Sequence, residues 1–275
     1  MAAFALVLSC TESRVPPDEV RIVGTDYRFA VGDAVRAGLV GITFANDGED
    51  FHMLAIRRLA DGKTFRDLDL ALGNDDASDD ESVFAAGPGV DGVPSVLTPR
   101  AATRTYASLS PGTYGLVCYF PASDGVPHFK KGMLASLVVL GRSGESPSPP
   151  DVDGEIATTA SRLTVPDLSS GEGTFRYVNR DPAAAHGLTF VRLHDGKALG
   201  DFVTWLDAYF QGIATFAQRP VDIWGGLEAV RGTAYVTLDL PPGRYLALDT
   251  ESAGAEGREF FRDEYGALRA EFTVR

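Results

Sequence analysis

The segment 109–140 constrains this chain more than any other, because it places a cysteine, a histidine and a methionine in order within about thirty residues. They are Cys118, His128 and Met133, in a chain that has only two cysteines, four histidines and three methionines. A thiol, an imidazole and a thioether form a soft donor set. Their spacing around one short loop is typical of a metal site.

The flanking residues predict a strand on each side of that loop. Apolar and β-prone residues after a Ser-Pro-Gly turn predict a strand at Gly115–Phe120. A second apolar run predicts a strand at Leu134–Leu140, buried on both faces. The thiol then lies at the end of one strand, the imidazole in the loop and the thioether at the start of the next strand.

Copper suits this donor set, provided that a second imidazole comes from elsewhere in the fold. The candidate is His52, which follows a polar turn and opens an apolar run. The sequence therefore predicts one copper ion bound by His52, Cys118, His128 and, more weakly, Met133.

These residues resemble the cupredoxins, the blue-copper β-sandwich proteins that include plastocyanin, azurin and the first domain of copper nitrite reductase. Members take one histidine from an early strand, then cysteine, histidine and methionine from the last loop. The interval from His128 to Met133 is similar to that of plastocyanin, whereas the longer interval after Cys118 is closer to nitrite reductases. The resemblance implies a type 1 copper site. The family commonly has a supporting Asn after the first histidine, where this chain has Met53.

The resemblance also implies how an electron would leave the site. In cupredoxins of this kind the loop histidine lies nearest to solvent. We therefore expect His128 to emerge among Val126, Pro127, Phe129 and Phe120, which would form an apolar docking surface.

The second half of the chain repeats the first at an offset of about 134 residues. His52 falls on His186, Asp61-Gly62-Lys63 on Asp195-Gly196-Lys197, and Pro111–Tyr114 on Pro242–Tyr245. At the position of Cys118 the second copy has Asp249, and the loop that follows contains neither His nor Met. We interpret His186 as a remnant or a hydrogen-bonded core residue, the alternative being a ligand in a carboxylate-rich site with Asp249.

Each half has one candidate helix. Apolar residues at helical spacing predict a short helix at Thr64–Leu72. The insert Asp201–Gly226 carries both tryptophans, Trp205 and Trp224, and predicts an amphipathic helix that packs on its own sandwich; an aromatic ligand groove is the alternative. The expected fold is all-β, with two cupredoxin-like Greek-key β-sandwiches in tandem, each with a short helical insert.

The predicted organisation has four parts. Residues 1–19 are a lipoprotein-like leader and linker, 20–141 the domain with the copper site, 142–154 a Pro/Ser/Gly linker, and 155–275 a degenerate domain without copper ligands. The apolar run Ala2–Leu8 is too short to span a bilayer. The residues up to Cys10 resemble a bacterial lipobox, which implies a lipid on Cys10 and an extracytoplasmic location; a frayed apolar tail is the alternative.

The charge limits the classes of partner. A net charge of -13 over 275 residues argues against binding nucleic acid or anionic lipid. A basic redox partner is more compatible. The acidic run Asp75–Glu81 is interpreted as solvated surface, or as a docking patch for such a partner.

Three functions remain. Four histidines are too few for the extra copper centres of multicopper oxidases and nitrite reductases, so we expect no catalysis. The leading hypothesis is one-electron transfer through a mononuclear type 1 site. The alternatives are Cu(I) storage or delivery, with Met53 as an added thioether, and a copper-free surface lipoprotein whose candidate ligands do not converge.

Overall fold

The structure, a computed structural model, describes residues 15–73, 81–249 and 268–275. The predicted lipid site at Cys10, most of the acidic run and the loop after Asp249 lie outside these residues. Within the described part, no helix is both long and apolar enough to span a membrane.

The described residues of the first half form nine strands and one α-helix. They are β1 (Asp18–Thr25), β2 (Arg28–Val31), β3 (Val35–Arg36), β4 (Gly38–Asn46), β5 (Ala55–Arg58), α1 (Phe65–Leu72), β6 (Val93–Pro94), β7 (Ala102–Leu109), β8 (Gly112–Val117) and β9 (Leu134–Leu140). Short 3₁₀ turns cover Glu81–Val83 and His128–Lys131.

The second half has eight described strands and one α-helix. They are β10 (Gly154–Thr159), β11 (Arg162–Thr164), β12 (Glu172–Asn179), β13 (His186–Leu193), α2 (Leu199–Phe210), β14 (Val221–Val230), β15 (Thr233–Asp239), β16 (Gly243–Leu248) and β17 (Arg269–Val274). A 3₁₀ turn covers Phe216–Gln218.

Each half is a two-layer β-sandwich, so the all-β prediction is confirmed. In the first half the layer β2-β1-β4-β7 faces the layer β3-β9-β8-β5. In the second half β11-β10-β12-β15 faces β17-β16-β13-β14. Strand β1 alternates buried and exposed residues, as expected for a strand with one face in a core. Apolar side chains from both layers form one main core in each half.

The two halves are joined by backbone pairing as well as by side chains. Strand β7 pairs with β15, with Thr105 opposite Val236, so one eight-stranded sheet runs through both halves. The short strand β6 of the first half pairs with β14 at the edge of a five-stranded sheet. Trp224 on β14 packs against the cores of both halves.

Several predicted elements match the structure and others differ. Helix α1 is confirmed, and a reciprocal capping box between Thr64 and Asp67 begins it. The strand predicted at Gly115–Phe120 begins and ends three residues earlier, at Gly112 and Val117, so Cys118 lies just beyond it. The prediction that Leu134–Leu140 is buried on both faces was wrong, because Val138 and Leu140 on β9 are 44% and 50% exposed. The layer β3-β9-β8-β5, antiparallel from β9 to β5, has one solvated face there.

Candidate metal centre

Three predicted ligands meet at one end of the first sandwich. Strands β8 and β9 pair in antiparallel register with Val117 opposite Leu134, so the residues just beyond this pair, Cys118 and Met133, lie at the same end. His128 opens the 3₁₀ turn between those strands, and its amide donates to the carbonyl of Phe120. The loop between them is thereby folded back over the sulfur.

His52 is held at this end by pairing that involves the second half. Its amide donates to the carbonyl of Leu97 and its carbonyl accepts from the amide of Leu97. Leu97 in turn forms an isolated β-bridge with Trp224. Strand β6, which pairs with β14 and leads into Leu97, thus connects His52 to the second half.

The donor atoms of His52, Cys118 and His128 converge. Nδ1 of His52 lies 3.1 Å from Nδ1 of His128, and Sγ of Cys118 lies 3.4 Å from the same nitrogen. All three donor atoms lie within 4.8 Å of one another. Because metal bonds to nitrogen and sulfur ligands are about 2.0–2.3 Å long, one ion fits among them. In the part of the chain that the structure describes, these three residues form a group whose donor atoms are close enough together to hold a metal ion.

Burial sets the protonation of the three residues. Each side chain is fully buried, and burial lowers the pKa of both imidazoles; the adjacent His52 helps to bring the pKa of His128 down to about 3. Both rings are therefore neutral at neutral pH and keep a lone pair. Burial also raises the pKa of the Cys118 thiol to about 12, although the amides of Met53 and Phe120 oppose this effect. A metal has to displace the thiol proton when it binds.

The backbone next to the first histidine supports the sulfur. The amide of Met53 donates to Sγ of Cys118 at 3.4 Å. The amide of Cys118 donates to the carbonyl of Met133 at 3.3 Å. Met53, which follows the first histidine, thus contacts the thiol through its main chain.

Met133 lies fully buried beside the other predicted ligands. Its amide donates to the carbonyl of His128 at 3.0 Å. A Cβ atom at Gly24 would lie 3.1 Å from Cε of Met133 and 3.4 Å from Cδ2 of His52, so both side chains border this glycine. This position is compatible with the predicted weak thioether ligand.

The expectation that His128 emerges at the surface was wrong. Its side chain is 0% exposed. The ring of Tyr27 covers it at 4.7 Å between centroids, and Phe120 packs beside it at 6.2 Å. Among the described residues Nε2 of His128 has no hydrogen-bond partner, and the nearest carboxylate oxygen, Oδ2 of Asp50, is 3.9 Å away.

Helix α2 of the second half forms part of this cover. The helix packs on its own sandwich, as predicted, and it also contacts the first half, because one apolar cluster contains residues of α2, of its own sandwich and of the candidate metal centre. The Tyr209 hydroxyl contacts the carboxylate of Asp50 and the carbonyl of Pro121, each at 3.2 Å. Trp205 packs on Phe51, with 5.9 Å between ring centroids. The insert also contains β14, and Trp224 lies on that strand.

Two residues of the turn between β1 and β2 also contact the centre. Asp26 accepts a hydrogen bond from Nε2 of His52 at 2.9 Å, and Tyr27 covers His128. Neither was predicted, because an Asp-Tyr pair in a turn has no sequence feature that distinguishes it from a solvent-exposed turn.

The equivalent position in the second half holds an ion pair. His186 contacts Asp249 through Nδ1 and Asp181 through Nε2. The amide of Gly187 donates to Asp249 at 3.0 Å, as the amide of Met53 donates to Cys118. The interpretation of His186 as a hydrogen-bonded core residue is therefore supported. Because the two carboxylates lie on opposite nitrogens of the ring, they do not form a shared metal site.

Scans for related proteins by sequence found no matching family model and no matching curated protein. The structure is similar to solved copper proteins. Reduced auracyanin from Roseiflexus castenholzii is 16% identical over 46% of this chain and 98% of its own, with a TM-score of 0.28. Rusticyanin is 19% identical over 44% of this chain and 77% of its own, with a TM-score of 0.27. A copper nitrite reductase from Nitrosomonas europaea is 12% identical over 96% of this chain and 85% of its own, with a TM-score of 0.23. Likeness at this level concerns the fold alone, so the function has to be inferred from the side chains of the site.

Proposed function

We propose that this chain binds one copper ion and transfers single electrons through it. The observation that carries the proposal is the convergence of two neutral imidazoles and one cysteine sulfur in a buried site. Two histidines and a cysteine with a weak axial methionine are the donor set of type 1 copper. His52, Cys118 and His128 would hold the ion, and Met133 would bind it more weakly. Bound copper would supply the one-electron redox couple.

The enclosure of the site favours electron transfer over catalysis. His128 is covered by Tyr27 and Phe120, and α2 adds a further layer over Phe51. A substrate that binds directly to a metal requires an open coordination position, whereas an electron does not. We therefore propose that the chain has no catalytic activity of its own.

The remaining histidines favour a mononuclear site. His186 is paired with Asp181 and Asp249 inside the second half. His194 contacts Asp222 at 3.2 Å. Neither lies in the group of donors around Cys118. A second copper centre within one chain would lack imidazole ligands.

The same enclosure bears on the alternatives. Storage or delivery of Cu(I) requires copper to leave, and the packed aromatic cover opposes rapid exchange. The half-buried Met53, which could add a thioether to a delivery site, keeps that function as the second candidate. A copper-free scaffold was expected to leave the candidate ligands apart, and three of them converge.

The cellular setting is proposed on the sequence alone. An extracytoplasmic location, a lipid on Cys10 and a basic redox partner are consistent with the N-terminal sequence and the net charge of -13. Association with a basic partner through charge would weaken as salt is added.

Voltammetry of the copper-loaded protein tests electron transfer. We expect one reversible one-electron wave per chain, with copper retained when a Cu(I) chelator is added between cycles. A His186→Gln control, altered only in the second half, should give the same wave. Rapid loss of Cu(I) to the chelator would favour delivery, and bound copper that gives no reversible wave would contradict the proposal.

A further inference from the structure

The carboxylate of Asp26 contacts the His52 ring on the side opposite the candidate metal centre and determines which ring nitrogen carries the proton. Oδ1 of Asp26 lies 2.9 Å from Nε2 of His52, and Nδ1 of the same ring faces His128 and Cys118. A carboxylate oxygen only accepts, so Nε2 carries the proton. The lone pair is then on Nδ1, the atom that points at the other two donors.

The local backbone holds Asp26 in this position. Its two carboxylate oxygens accept the amide of Glu49, at 3.2 and 3.0 Å. A Cβ atom at Gly48 would lie 2.4 Å from both Oδ1 of Asp26 and Nε2 of His52. The loop can close over this hydrogen bond only because residue 48 has no side chain.

The second half holds its first histidine in a similar way. Nε2 of His186 lies 3.1 Å from Oδ2 of Asp181. Asp181 follows β12, whereas Asp26 follows β1. In each half a carboxylate therefore contacts Nε2 of the histidine, but it comes from a different loop. His186 pairs with Asp249 and not with a thiol, so Asp181 holds a histidine that has no cysteine beside it. A purely structural role is therefore the alternative for Asp26, and the experiment has to distinguish it from a role in copper binding.

We propose that Asp26 is a positioning residue that prepares His52 to bind copper and lowers the reduction potential of the site. It selects the tautomer with the free lone pair on Nδ1, and its negative charge makes the imidazole a stronger donor. A stronger donor favours Cu(II) over Cu(I). This inference rests on the proposed function.

Two variants separate orientation from charge. Asp26→Asn retains an oxygen that can accept from Nε2 but removes the negative charge. Asp26→Ala removes both. The control is Asp33→Asn, which makes the same change in net charge at an exposed residue. The readouts are the reduction potential, the Cu(II) dissociation constant from competition with a chelator, and the ¹⁵N NMR tautomer of His52 in copper-free protein.

We expect the potential to rise in both Asp26 variants and to stay constant in the control. The Cu(II) dissociation constant should increase by about 10–100-fold in Asp26→Ala and by less in Asp26→Asn. The copper-free wild type should show the Nε2–H tautomer, and Asp26→Ala a mixture. Unchanged potential and affinity in a chain that binds copper would overturn this inference alone. A wild type that binds no copper would overturn the proposed function and this inference with it.

Discussion

Residue identity at one position separates the two halves. Cys118 and Asp249 accept equivalent amide hydrogen bonds, from Met53 and Gly187. In the first half, the Cys118 thiol leaves Nδ1 of His52 available to a metal. The carboxylate binds Nδ1 of His186 directly and removes the lone pair that a metal would need. The thiol of one half is thus replaced in the other by a carboxylate that forms a buried ion pair.

The ion pair predicts a pH-dependent stability. Burial opposes the charge on His186, but Asp181 and Asp249 outweigh it and raise its pKa above the ordinary value of 6.5. The folded state therefore binds this proton more tightly than the unfolded state. The resulting stabilisation is fully present below the unfolded pKa and is lost as the pH rises through the folded pKa.

Thermal unfolding of the copper-free protein checks this. The difference in melting temperature between wild type and His186→Gln should be largest below pH 6.5 and shrink at alkaline pH. A difference that stays constant with pH would show that His186 contributes by packing alone.

At the residue scale the sequence predicted the candidate ligands better than the contacts that support them. Cys118, His128 and His52 could be found because the chain has only two cysteines and four histidines, and these three occur in the order typical of a copper site. Asp26 could not, because its role arises from a turn that folds beside His52, and nothing in the sequence encodes that proximity. The burial of His128 was missed for the same reason.

At the element scale, helix α2 of the second half packs against residues beside the site. Trp205 packs between Phe51 and Tyr209, and its indole N–H donates to the carbonyl of Thr215 at 3.1 Å. The helix is thus fixed to the loop beside His52 as well as to its own sandwich. We interpret it as a cover that shields the metal centre from solvent.

Truncating this tryptophan should loosen the cover. Trp205 is 6% exposed, so Trp205→Ala should lower the free energy of unfolding by about 3–5 kcal/mol in urea denaturation. Copper should also pass faster to a chelator. Thr204→Ala, on the exposed face of the same helix, is the matched control and should change stability by less than about 1 kcal/mol. A similar small effect from both variants would contradict the role of α2.

The sequence predicted the helix and its packing on its own sandwich, but not its contact with the first half. Helical spacing identifies an apolar face without identifying the surface that it meets. Trp224 lies in the same insert as Trp205 but on strand β14, where it bridges two cores. Aromatic residues fit both a buried strand and a helix, so periodicity did not separate them.

At the scale of the whole molecule, the two sandwiches share their sheets. The pairing of β7 with β15 and of β6 with β14 joins residues more than 100 positions apart. The repeat predicted two sandwiches, but pairing between strands so distant in sequence leaves no local pattern. The sequence therefore could not predict how the halves are joined.

Shared sheets predict cooperative unfolding. Scanning calorimetry of the full chain should show one transition whose calorimetric and van't Hoff enthalpies agree, because separating the halves would break both pairings and uncover Trp224. Two resolved transitions would mean that the halves unfold independently.

An absorption spectrum after addition of Cu(II) tests most directly whether His52, Cys118 and His128 hold one type 1 copper ion, as we propose. An intense visible band from thiolate to copper, saturating at one ion per chain and absent from Cys118→Ser, is the predicted result. The His186→Gln control should keep the band. Saturating Cu(II) that produces no such band in the wild type would contradict the claim.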